Sequence, residues 1–200
     1  MKRKAEISIA IGLIISIIMS ICRFGAECNK IRNDVVRLHI HANSDSEEDQ
    51  RVKLQVRDAL LECGSEMFSG EVTVENAQEL INQNKNKLIS LANETLERYG
   101  FEYKADVYLT NEYFTTREYE DFTLPAGEYL ALKVILGEGK GHNWWCVMFP
   151  PLCLPAATEN KNLDVVFGDK GADIVSESDT YILKFKIIEI IENIRHKVKK

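Results

Sequence analysis

His142 stands four residues before Cys146 in the stretch GEGKGHNWWCVMFPPLC, Gly137 to Cys153. A cysteine hydrolase needs a thiolate, a histidine base within hydrogen-bond reach, and a third group to orient the ring. Cys146, with His142 or His39 as base and Asn143 or Asp45 as orienting group, supplies those residue types. Against this, Cys146 sits inside the apolar run WWCVMF. Burial there raises a thiol's pKa and leaves it inert, and no helix N-terminus is expected nearby to lower it. No catalytic residue is therefore assigned.

His39 and His41 leave the same face of an expected strand, and His142 could join them on a metal ion. No HExxH or CxxC supports the pair. It reads instead as one hydrogen-bonded histidine and one exposed one, and neither metal nor cofactor is expected. Gly137, Gly139 and Gly141 do not build a phosphate loop, because a strand follows them and no GK[ST] is present. A hairpin loop that needs positive φ accounts for them. Acidic residues are too widespread to single out a carboxylate pair.

What remains is a surface. In a strand, Trp144, Cys146 and Met148 face one way and Trp145, Val147 and Phe149 the other, so both faces are apolar. Tryptophan is enriched among binding hot spots. Core packing is the default reading of such a strand; the sharper one is a docking edge at the GKGHN loop, with Arg37, His39, Asn43 and Asp45, together with His142, Asn143, Trp144 and Trp145, as the expected contact set. Cys146 and Cys153 flank Pro150-Pro151. A disulfide between them is allowed outside the cytoplasm, and a pair of buried thiols is equally compatible.

The elements that must position these groups follow from patterning. Met-Lys-Arg-Lys precedes an uncharged run from Ile7 to Cys22, ISIAIGLIISIIMSIC. Such a basic start and apolar stretch mark an export signal or membrane anchor over residues 1–28, with the basic end kept in the cytoplasm. A cut after Ala26 would put Phe24 where a small residue is wanted, and a cut after Cys22 would put Ser20 there. Cleaved signal and retained anchor both stay open.

The whole chain has 25 basic and 31 acidic side chains, a net of −6. Without residues 1–26, which hold four basic groups and one acid, 21 face 30, a net of −9. Nucleic acid is excluded as a partner, since it demands a basic footprint. Anionic headgroups would repel the acidic remainder.

Val35–His41 alternates as a half-buried strand does. Ser44 with Glu47, or Ser46 with Asp49, offers a capping box for a helix running to about Cys63. A second helix is expected from Val74 to Tyr99, stopped by Gly100. Strands follow at Phe101–Thr110, Glu128–Leu136 and Trp144–Phe149, the last two joined by GEGKGHN. Residues 115–123 read as loop, 156–172 as irregular, and Thr180–Val198 as an apolar-faced helix. The fold class is α+β, a mixed or antiparallel sheet with helices mainly on one face. Residues 29–200 read as a single exported domain.

RLHIHANSDSEEDQRVKLQVRDALL (Arg37–Leu61) and GEYLALKVILGEGKGHNWWCVMFPPLC (Gly127–Cys153) resemble the stage II sporulation protein R family of endospore-forming bacteria. The resemblance implies a messenger made in the forespore and exported into the space between the two sporulation membranes. There it would activate a membrane-embedded aspartic protease of the mother cell, which processes the sigma-E precursor. It implies no enzyme activity and carries over no site residues. A membrane contact would run through the N-terminal segment if uncleaved. The alternative, read from the residues alone, is a secreted Cys-His hydrolase acting on peptide or cell-wall material.

Overall fold

A computed structural model describes residues 2–69, 72–119, 121–152 and 163–199. The chain groups into two compact units. One contains Asn33–Tyr113 and Glu128–Asn162; the other contains Met1–Arg32, Phe114–Gly127 and Leu163–Lys200.

The first unit is an α+β layer pair. Its strands are β1 (Val36–His41), β2 (Ala105–Phe114), β5 (Gly127–Leu136) and β6 (Asn143–Phe149), in the sheet order β2-β5-β1-β6. β1 runs parallel to β5 and antiparallel to β6, so the sheet is mixed. The helices of this unit are α2 (Glu47–Met67), α3 (Val74–Gln83) and α4 (Lys85–Arg98). Val36, Leu38 and Ile40 of β1 join Leu132, Val134, Cys146 and Met148 in one core with Val52, Val56, Leu60, Leu88 and Leu96 of the helices. Removing this apolar area from water is the main favourable term in the unit's stability.

Local chemistry sets the helix ends. Ser46 caps α2 by accepting the Asp49 backbone N–H at 3.2 Å. The expected reciprocal bond is absent, because the Asp49 carboxylate turns to Ser44, Asn43 and Tyr103. The single helix expected from Val74 to Tyr99 is two, broken at Asn84 inside the polar NQNKNK patch. There the Leu80 carbonyl accepts both the Asn84 N–H at 3.0 Å and the Asn84 side-chain amide at 2.9 Å. Gly100 stops α4 as expected. Its φ is 82°, its N–H bonds Glu97, and the Phe101 N–H bonds Leu96, which satisfies the helix's last carbonyls.

One expectation about the strands fails. β5 and β6 are not hairpin partners, because β1 lies between them. The loop from Gly137 to His142 therefore spans two strand spacings, about 9–10 Å, and arches over the end of β1. A register shift at Val36/Arg37 also pairs Val36 with Phe149 and Arg37 with Val147. This bulge turns Phe149 onto the helix side, 5.0 Å from the Phe68 ring, whereas strict alternation puts it opposite.

The second unit contains α1 (Lys2–Asn33), the short ladder β3 (Arg117–Glu118) with β4 (Thr123–Leu124), α5 (Leu163–Ser176) and α6 (Ser178–Lys199). The ladder falls in a stretch expected to be loop, and α5 in one expected to be irregular. α5 is kinked at Gly168, where φ is 65°, so its apolar residues never form one helical stripe long enough to read. α1 is the one helix among the described residues long and apolar enough to cross a membrane. Ile7 to Met19 are exposed along it, whereas Phe24, Cys28, Ile31 and Arg32 are buried. Phe24 stacks on Tyr181 at 5.6 Å and meets the edge of Phe185 at 5.3 Å. The Arg32 guanidinium donates to the Ala126 carbonyl at 2.8 Å and lies 3.6 Å from the Glu192 carboxylate.

Candidate functional site

The β5–β6 loop is fastened to the β1–α2 junction by backbone and side chain together. The N–H of Lys140 donates to the Asn43 carbonyl at 3.1 Å and that of Gly141 to the Ala42 carbonyl at 2.9 Å. Asn43 Oδ1 accepts the Glu138 N–H at 2.9 Å, and Lys53 Nζ donates to the His142 carbonyl at 2.9 Å. The glycines are required by this crossing. Gly137 and Gly139 have φ of 55° and 62°, and a Cβ on Gly141 would lie 2.1 Å from the Ser44 carbonyl oxygen.

Asp49 anchors the junction from below. It is buried, and its carboxylate accepts from Asn43 at 2.9 Å, Ser44 at 2.5 Å and the Tyr103 hydroxyl at 2.5 Å. Burial alone would raise its pKa, but these donors outweigh it and hold the carboxyl below the usual range. Above them, the exposed Asp45 accepts both the His142 backbone N–H at 2.6 Å and its ring Nδ1 at 2.5 Å. Those two bonds, the backbone one first, keep Asp45 ionised below the usual carboxylate range. The sheet end thus presents an exposed, hydrogen-bonded Asp45–His142 pair.

A second polar group lies on the sheet face away from α2–α4. His39 Nδ1 is 2.7 Å from Glu112 Oε2, and Lys133 Nζ donates to Glu112 Oε1 at 3.0 Å. The His39 ring stacks on Trp145 at 5.3 Å and lies 4.1 Å from the His41 ring. Burial would raise the Glu112 pKa, yet the bonds from His39 and Lys133 bring it down to about 2. Burial, then the neighbouring His39 and Lys133 charges, lower the His41 pKa to about 4, so His41 is neutral near pH 7.

The structure divides the expected contact set. Asn43, Asp45 and His142 converge at the loop crossing. His39 and Trp145 meet on the polar face. Trp144 turns to the helix side, where the Arg57 guanidinium covers its ring at 4.5 Å, and Asn143 is half-buried. Arg37 is fully buried, with Nε donating to the Cys146 carbonyl at 3.1 Å and its guanidinium 5.0 Å from the Tyr129 ring centre. It braces strands rather than meeting solvent.

Cys146 is buried and disulfide-bonded, so it carries no thiol to ionise. Cys153 lies outside the described residues. Cys22, Cys28 and Cys63 are free. Glu112, Lys133, Asp49 and Tyr103 complete these groups without having been expected in them. The expected strand ended at Thr110, two residues before Glu112. Only the capping pattern pointed at Asp49.

The family model described as stage II sporulation protein R (spore_II_R) matches residues 32–159, more than half of the chain. The chain belongs to the stage II sporulation protein R family. Both polar groups lie within the match, as do all strands among the described residues. α5 and α6 lie outside it. A stage II sporulation protein R of Bacillus subtilis (strain 168) is 38% identical over 123 residues, 62% of this chain and 55% of that protein. The chain thus spans little more than half the length of this relative. No solved structure matches.

Proposed function

We propose that this member of the stage II sporulation protein R family acts as a signal presented beyond the membrane, activating a membrane-embedded aspartic protease that processes the sigma-E precursor. It does so by being bound, without catalysing a reaction itself. The observation that carries this reading is the fastened loop. Asp45 and His142 are held in one geometry before any partner arrives, which lowers the ordering cost of association. Such docking activates only if the protease's active conformation is bound in preference to its resting one.

Membrane attachment through α1 fits the burial of its last turns. A cut after Ala26 would remove Phe24 from its packing on Tyr181 and Phe185, whereas a cut after Cys22 would leave it in place, so the packing speaks against the Ala26 cut alone. The alternative hydrolase loses its nucleophile while Cys146 stays in disulfide linkage.

The test is co-expression of the full chain with the protease and the sigma-E precursor, read as precursor cleavage. Wild type should support cleavage, and the double variant Asp45→Ala/His142→Ala should not. Cleavage unaffected by the double variant would remove the loop as the contact. No cleavage with wild type, or labelling of native Cys146 by a thiol-alkylating reagent, would count against the signalling reading itself.

A further inference from the structure

We propose that His39, His41 and Glu112 form a site for one divalent transition-metal ion of the zinc class. The topology makes the cluster. His39 and His41 are two apart on the central strand β1 and share a face, and Glu112 reaches them from β2 across β5. One ligand atom from each of the three lies within 4.8 Å of the others. Around zinc, tetrahedral ligand atoms about 2.1 Å from the ion are about 3.4 Å apart. No pair of these ligand atoms therefore has to close by much more than about 1 Å, while the His39–Glu112 hydrogen bond at 2.7 Å has to open to admit the ion.

The surroundings favour a ligand. His41 Nε2 is buried and has no hydrogen-bond partner, a costly arrangement that a metal ion would relieve. Trp145 holds the His39 ring from one side. Two imidazoles and one carboxylate are a common open zinc set, leaving the fourth position to water. Lys133 opposes the ion. Its ammonium occupies Glu112 Oε1 at 3.0 Å, so it stabilises the empty cluster and weakens binding. His142 takes no part, being engaged with Asp45.

Detergent-solubilised, metal-free full chain is titrated with zinc ions against a chromophoric chelator, and with cobalt(II) for its ligand-field spectrum. One zinc per chain is expected. His41→Val and Glu112→Gln should each weaken it at least about tenfold, as loss of a ligand or its support does. Lys133→Ala should tighten it, and His142→Ala should leave it unchanged. Circular dichroism checks that each variant is folded; if His41→Val is not, Glu112→Gln decides. No stoichiometric uptake, uptake indifferent to both ligand variants, or uptake lost in His142→Ala would overturn the site.

Discussion

Val36, Leu38 and Ile40 leave β1 toward the helices, and Arg37, His39 and His41 leave it on the other side. All but His41 are buried. The helix side is apolar throughout and gains its stability from area removed from water. The other side buries a guanidinium and an imidazole, each holding hydrogen bonds at defined distances. Equal burial therefore conceals unequal purpose. An apolar face tolerates exchange of shapes, whereas a polar one depends on each partner being present. The sheet end shows the polar rule again in Asp49, where three side-chain donors converge on one carboxylate.

Substitutions on each side should separate the two. Leu38→Ala removes a fully buried core side chain and should cost about 2–5 kcal/mol, measured by urea denaturation. Gly141→Ala forces a methyl group onto the Ser44 carbonyl. It should cost about 1–3 kcal/mol, as overpacking does, and displace the loop enough to stop precursor cleavage.

Asp49→Asn swaps an all-acceptor group for one that cannot satisfy the same donors, at about 1–3 kcal/mol near pH 7. Its pH dependence has a fixed sign. Asp49's pKa is depressed by folding, so its contribution is complete above the unfolded value of about 4. It is lost as pH falls through the folded value. The gap between variant and wild type should narrow in acid, as parallel urea titrations near pH 7 and pH 3 would show. His41→Val should change stability least among these, because it removes a buried nitrogen that has no partner. If it proves as costly as Leu38→Ala, the polar face is ordinary packing and the contrast collapses.

The sequence made the helix side legible, because alternation in VVRLHIH and the three- and four-residue steps of α2 are properties of neighbouring residues. Gly100 was readable for the same reason. The polar face was not. Its carboxylate comes from β2, and only the strand order β2-β5-β1-β6 brings Glu112 to His39. The same order hid the task of the glycines. Positive φ was foreseeable, but Gly141's closeness to Ser44 depends on β1 standing between β5 and β6. The α3–α4 break was masked because Asn84 keeps the helical spacing, and its N–H still bonds the Leu80 carbonyl across the junction. The split of the contact set follows from alternation itself. Trp144 and Trp145 are adjacent in sequence and therefore face opposite ways.

The placement of β1 also governs when this sheet can assemble. Synthesis makes β1 first among the strands, yet its partners Leu130–Ile135 and Asn143–Phe149 come about a hundred residues later. Until Phe149 has left the ribosome, β1 has at least one bare edge and its polar side chains lack their final neighbours. Such long-range pairing folds slowly, so the nascent chain should stay pliable until its last strand has been made.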